Sequence, residues 1–331
     1  MSASLPTFGP GREFERIREF LGTNPDDATI RVGPGDDACV LSDGLVLATD
    51  LCLEGIHFRS EWISWEEAGG RAAAAGLSDL AAMGADPVGL LISLATPRDD
   101  GVGEAVMAGV RRVAGAGGAL LLGGDLTRSP GPTLIDVVSV GRVGAPLVRS
   151  NARAGDELWV TGSLGGAAGA VAAWERTGSA PPGLRRAFAH PTPRIAEAKW
   201  LSAAGAHAAI DLSDGLAGDA AHLGAASGVE VEIEPAAVPV HPALEEAAAT
   251  ILKGIDPFEL ALHGGDDFEL LVAAPAGALT ARVDEFRERF HLSLSRIGRV
   301  TPGEGVSLAD EGGRRRVGRG GYDHFEEGRN A

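Results

Sequence analysis

The chain has 331 residues, 44% of them hydrophobic, with 46 acidic against 29 basic side chains and a formal charge of −17. That length suffices for two domains with cores of their own, and the acids are scattered rather than run together, which excludes a disordered chain. The negative charge argues against holding nucleic acid by counterion release and against binding an anionic membrane.

Residues 11–20 (GREFERIREF) carry an amphipathic helical pattern where a signal peptide would need an uninterrupted apolar core. No stretch of about 18 uncharged apolar residues offers a membrane span. Cys39 and Cys52 are the two cysteines and form no CxxC, so neither a disulfide framework nor a structural zinc is predicted, and a reducing, cytoplasmic setting fits. Residues 45–49 (LVLAT) read as a buried strand ending at Asp50, and residues 65–84 as an alanine-rich helix with Pro87 marking its exit. A strand follows at 88–94, a helix at 103–114, and a short strand at 119–122 that stops at Gly123-Gly124-Asp125. Residues 133–143 alternate as a strand. Near 145–152 the texture turns polar, dividing the chain into domains at 1–148 and 149–331. The second half opens with a strand at 157–161. It continues with helices near 164–177, 193–204, 215–227 and 277–289, and strands near 207–212, 229–234, 269–274 and 295–300. Pro193 is expected in a first helical turn. Residues 162–169 (GSLGGAAG) read either as a phosphate loop at a helix N-terminus or as close helix–strand packing. The alternation of strands and helices gives an α/β class.

The aspartates recur at one kind of position. Asp36 and Asp37 sit in a Gly-Pro loop, Asp50 and Asp125 follow apolar strands, and Asp79 lies in an otherwise apolar helix. Asp211 and Asp214 follow another strand, and Asp266 and Asp267 precede the next. Each alone could be a turn or a cap. Together, with few cations nearby, they fit hard divalent ions shared with phosphates, in a cleft between two domains. The chain has two lysines, neither after a glycine-rich loop, so there is no P-loop; GxGxxG, GxSxG and HExxH are also missing. Phosphate charge must therefore be offset by metal ions and arginine.

The motifs GPGDDACVL, ATDLCLEGIHF, GLSDLAAMGADP, LLGGDLTR, PTPRIAEA, IDLSDGLAGD, HGGDDFELL and GYDHF, in this order from about residue 8 to residue 325, resemble the thiamine-monophosphate kinase family. That family lies within the aminoimidazole-ribotide synthetase-like superfamily. The resemblance implies two domains, each a mixed sheet with helices packed on it, and a homodimer formed through the N-terminal domain. It implies direct transfer of a phosphoryl group from ATP to thiamine monophosphate, assisted by several Mg²⁺ ions, with K⁺ a further candidate cation. Carried over by motif, Asp37, the backbone at Ala48, Thr49, Asp50, Asp79, Asp125, Asp211 and Asp214 would hold metal, with Asp50, Asp125 and Asp214 closest to the chemistry. Gly124, Asp125, Arg149 and Ser213 would contact ATP; His57, Asp266 and Tyr322 would contact thiamine monophosphate. Asp266 stands where the family usually has Glu, Gly117 where it often has Tyr, and Leu126 where it has Thr. Another ATP-using member of the superfamily, or a non-catalytic nucleotide binder, are the alternatives.

Overall fold

The computed structural model describes residues 9–22, 27–97, 100–318, 320–322 and 324–325. The first half runs α1 (Arg12–Leu21), β1 (Ile30–Val32), β2 (Cys39–Leu41), β3 (Leu45–Leu53), α2 (Trp65–Ala82), β4 (Asp86–Thr96), α3 (Val102–Ala116), β5 (Leu120–Arg128) and β6 (Leu134–Arg142). The second half begins β7 (Glu157–Thr161), α4 (Gly166–Thr177), α5 (Pro182–Ala189), α6 (Ile195–Ala203), β8 (Ala208–Asp211), α7 (Leu216–Ser227) and β9 (Glu230–Ile233). It ends with α8 (Pro242–Thr250), α9 (Pro257–His263), β10 (Leu270–Ala274), α10 (Val283–Phe290), β11 (Leu294–Thr301), β12 (Gly305–Asp310) and β13 (Gly313–Arg316). Among the described residues no helix is long and apolar enough to cross a membrane.

The strands form two mixed sheets, in the orders β1-β2-β3-β6-β4-β5 and β13-β12-β9-β11-β7-β10-β8. β4–β5 and β12–β9 are the parallel pairs. Register in the first sheet is set by a long antiparallel ladder from Leu45 opposite Arg142 to Leu53 opposite Leu134.

Helix α2 is the element on which both halves rest. Ser64 and Glu67 close a capping box at its start. Beyond that box nearly every side chain is buried, because α2 packs on β3, β4 and β6 with one side and meets α6 and β8 with another. A helix apolar on all sides is what such a sandwich requires. Its alanines and glycines also let α3 approach backbone to backbone. A Cβ on Gly69 would lie 2.0 Å from the Val106 carbonyl oxygen, and one on Gly109 1.8 Å from that of Glu66.

The helices cover one face of the first sheet. On the other face Leu51 and Leu91 are exposed, and β5 is exposed along its whole length, with Leu126 at 70%.

The structure lengthens three predicted strands, and the one expected at 88–94 runs from Asp86 to Thr96. Residues 45–49 continue to Leu53, so Asp50 sits inside β3, and residues 119–122 continue through Gly123, Gly124 and Asp125 to Arg128. Polar residues do not end these strands because the neighbouring ladders keep pairing with them. A Cβ on Gly124 would lie 1.8 Å from the Ile92 carbonyl oxygen, so this glycine permits the close β4–β5 approach and is not a stop signal. Pro193 precedes the Arg194 N-cap of α6 and lies outside the helix's first turn. Helices α5, α8 and α9 and strands β1, β2, β12 and β13 were not expected from the sequence.

Gly109→Ala should destabilise the protein by about 1–3 kcal/mol, since the added methyl must push α2 and α3 apart. An unchanged urea midpoint would show that the crossing tolerates it.

Candidate active site

A cavity of about 970 Å³ lies between the two sheets. α2 supplies one wall with Arg71, Ala72, Ala75 and Asp79, and α4 the opposite wall with Ala168, Val171, Ala172 and Glu175. Both sets recur at helical spacing, which is how a single helix face lines a cleft.

At one end three carboxylates converge. Asp37, Asp79 and Asp211 each offer an oxygen, and these atoms all lie within 4.8 Å of one another. They come from the loop before β2, from α2 and from the end of β8, so the cluster exists only when both halves are packed on α2. Burial, then the charge of Asp211, pushes the Asp79 carboxyl well above the ordinary range, and burial, then Asp37, does the same to Asp211. Asp36 beside them is raised to about 7 by burial and by Asp37, and Asp50 to about 6 by burial and by Asp266. Oxygen-only donors crowded this closely fit a hard divalent cation, which would relieve the repulsion that burial intensifies. Arg149 braces the cluster: its Nε and Nη2 donate to the two oxygens of Asp37 at 3.1 and 2.7 Å, and its backbone N–H donates to Asp36 Oδ2 at 3.1 Å. The Arg149 carbonyl in turn accepts from Ser227 Oγ at 2.6 Å, which ties the Gly-Pro loop to α7.

The loops that continue β8 and β10 pair with each other. Asp266 N–H donates to the Ser213 carbonyl at 2.8 Å, and Phe268 N–H to the Leu212 carbonyl at 2.9 Å. A Cβ on Gly265 would sit 2.2 Å from the Ser213 oxygen, so glycine is required for this approach. Asp266 itself takes φ 71°, a left-handed conformation uncommon for a residue other than glycine. Asp219 in α7 accepts from the backbone N–H of Asp214 and Gly215 at 3.2 and 3.0 Å, fixing the turn that carries Ser213 and Asp214. Tyr322 N–H donates to the Asp214 carbonyl at 2.9 Å, and its ring meets His324 edge-on at 4.9 Å. His57 accepts the Leu53 N–H on Nδ1 at 3.0 Å, and burial holds its imidazole below the usual range.

Asp37, Thr49, Asp50, His57, Asp79, Arg149, Asp211, Ser213, Asp214, Asp266 and Tyr322 thus line one cavity. Thr49 Oγ1 donates to Asp136 Oδ1 at 3.0 Å. Ala48, Gly124 and Asp125 do not line it: the Ala48 side chain is in the core, and Gly124 and Asp125 lie on the outer strand β5. With β6 and β4 intervening, β5 lies about 14 Å from β3 at ordinary strand spacing. The phosphate-loop reading of residues 162–169 is overturned. The Asp267 carboxylate accepts from the Gly165 N–H through both oxygens, at 3.0 and 2.8 Å, and so occupies the N-terminus of α4.

Sequence reasoning missed several residues. Arg71 is buried in the cavity wall and paired with Asp266 at 2.6 Å. Glu269 accepts from Arg194 and Thr161 beneath the Asp266 loop. Trp62 and Phe188 form an aromatic wall, edge-on at 6.2 Å. The buried positions of Asp219 and Glu269, inside motifs already quoted, were the available signal; nothing local marks the partner of Arg71.

The crowding has a measurable consequence. Asp36 titrates at about 7 in the folded chain against an ordinary 3.8. The folded chain holds a proton that the unfolded chain releases, so this group's stabilisation is complete below about pH 4 and lost as pH rises through about 7. In the presence of chelator, Asp36→Asn should therefore gain stability relative to the parent between about pH 5 and about pH 8, by up to a few kcal/mol in urea unfolding. A difference independent of pH would contradict the crowding.

The chain matches the AIR synthase related protein family models, the N-terminal domain over residues 35–143 and the C-terminal domain over residues 153–311. It is 33% identical to a thiamine-monophosphate kinase of Mycobacterium tuberculosis, over 99% of this chain and 96% of that protein. It is 36% identical to the crystal structure of thiamine-monophosphate kinase from Stenotrophomonas maltophilia, covering 89% of this chain and 94% of that one, with a TM-score of 0.74. The structure of AaThiL complexed with AMPPCP and TMP is 31% identical and superposes with a TM-score of 0.79, covering 95% of this chain and 97% of that one. Similarity of this extent, across both halves of the fold and through the motifs that line the cavity, makes the chain a member of the thiamine-monophosphate kinase family.

Proposed function

We propose that this protein transfers a phosphoryl group from ATP to thiamine monophosphate, giving thiamine diphosphate, in one direct in-line step. The observation that carries this reading is the single cavity in which Asp37, Asp79 and Asp211 converge while His57, Asp266 and Tyr322 line the same space. The names of the full-length relatives support the substrate, and the AMPPCP and TMP of the AaThiL complex support a nucleotide and a monophosphate bound together.

Asp37, the Ala48 backbone, Thr49, Asp50, Asp79, Asp125, Asp211 and Asp214 would hold several Mg²⁺ ions, with K⁺ a further candidate. When bound, those ions supply the positive charge that lets two phosphate polyanions approach. Gly124, Asp125, Arg149 and Ser213 would hold ATP, and His57, Asp266 and Tyr322 thiamine monophosphate. Arg149 keeps Asp37 oriented, and Asp219 fixes the backbone that presents Asp214. A phosphate acceptor is already ionised near neutral pH, so the chain's task is positioning more than proton removal.

We read residues 1–148 and 149–331 as the two domains, and the open leucine-bearing face of the first sheet with edge strand β5 as the surface of a homodimer. Gly124 and Asp125 belong to that edge, so their contribution is to be tested on the protein in its solution assembly. The two free cysteines support a cytoplasmic setting.

The decisive assay supplies ATP, Mg²⁺ and thiamine monophosphate and follows thiamine diphosphate. ATP binding without turnover of this acceptor would return the reading to another superfamily activity. Asp50→Ala should lower kcat by at least about 100-fold, the scale of losing a group that stabilises transition-state charge, and near-parental turnover would remove Asp50 from the site. Asp79→Asn should shift the Mg²⁺ titration to higher concentration; an identical titration would take Asp79 out of the ligand set. Gel filtration is expected at dimer mass, and elution as a monomer would withdraw the dimer surface.

A further inference from the structure

Three arginines line the cavity, and they are placed for different work. Arg149 donates Nε and Nη2 to Asp37 and so belongs to the acid cluster. Arg59 lies 4.6 Å over the Trp62 ring. Arg71 is 2% exposed and sits two turns before Asp79 on α2. Its Nη1 donates to the Phe188 carbonyl at 2.8 Å, and its Nη2 pairs with Asp266 Oδ2 at 2.6 Å. The guanidinium stacks 4.0 Å from the Phe188 ring and 5.6 Å from that of Phe268. Its charge also acts on Asp50, opposing the effect of burial there. Arg71 therefore stands at the junction between the acidic end of the cavity and the aromatic wall.

We propose that Arg71 reads the phosphate of the acceptor, an assignment that rests on the kinase reading above. A phosphomonoester dianion entering a cavity lined by carboxylates needs a fixed cation that is not already neutralised in the acid cluster. A guanidinium has five N–H donors, and the bonds described to Phe188 and Asp266 take one from each terminal nitrogen, so it can hold Asp266 and a phosphate oxygen together. Stacking on Phe188 fixes its plane, so little ordering is left for binding to impose. Burial strengthens its field on an anion beside it. The ion pair then recognises adjoining parts of one substrate: Arg71 takes the phosphate, and Asp266, held in its left-handed conformation, faces the organic group next to it.

The competing role is purely architectural, a buried strut between α2 and α5. Titration calorimetry with thiamine monophosphate and with thiamine, both in Mg²⁺, separates the two. The parent protein should prefer the phosphorylated ligand. Arg71→Gln should shrink that preference roughly 10- to 100-fold, the range of a charge-assisted hydrogen bond, by weakening the monophosphate alone. Arg71→Lys keeps the charge without the fork and should lose less of the preference; it carries the test should Arg71→Gln fail to fold. Equal losses for both ligands, or none, overturn the assignment while leaving the kinase reading intact. A parent protein that converts no thiamine monophosphate overturns both.

Discussion

Carboxylates held close together in a half-buried cleft repel one another, and burial weakens the solvent screening that would ease them. In this protein Asp37, Asp79 and Asp211 are forced into that arrangement by α2, which locks the two sheets together from between. The repulsion is tolerable because the surroundings supply specific relief. Arg149 grips Asp37 with two donors, and the Asp219 carboxylate is stabilised by two backbone N–H groups. What relief remains to be supplied is of the size and hardness of a divalent cation. One of the three acids is carried by a helix, one by the end of a strand and one by a loop, and that loop is braced by the Arg149 bonds to Asp36 and Asp37.

The same logic separates the residues that do chemistry from those that hold them. Thr161, Arg194 and Glu269 form a buried network under the Asp266 loop, with Glu269 bonded by Arg194 Nε at 2.7 Å and by Thr161 Oγ1 at 2.6 Å. Asp267, next to Asp266 in sequence, faces the other way and satisfies the N-terminus of α4. Adjacent acids thus serve opposite ends: one lines the cavity and one is spent on the fold. The helix dipole at α4 is thus answered internally, by a carboxylate of the chain itself.

Much of this could be read from the residues. The apolar runs of β3, β4 and β6, the alanine-rich α2, and the placing of Asp37, Asp50, Asp79, Asp211 and Asp214 around one cleft were all legible, because each follows from a periodic pattern or a recurrent local motif. The extent of β3 and β5 was not, since Asp50 and Gly124 look like strand ends and are strand interiors made possible by the neighbouring ladders. Helix α9 spans only seven residues, about two turns, in which a hydrophobic period hardly emerges. Arg71 was invisible for another reason: its meaning lies in Asp266 and Phe188, residues brought to it only by tertiary packing. The location of Asp125 on an outer strand is likewise a property of sheet order, which local spacing does not encode.

The wall formed by α1 with residues 320–322 and 324–325 joins segments some three hundred positions apart. Arg16 stacks on Phe325 at 4.2 Å, Gly9 donates to His222 at 2.9 Å, and both Phe14 and Tyr322 face the cavity. That flank of the cleft is therefore closed only when segments some three hundred positions apart have met, and the Asp211 corner of the acid cluster is in place only when β8 has paired with the much later β10.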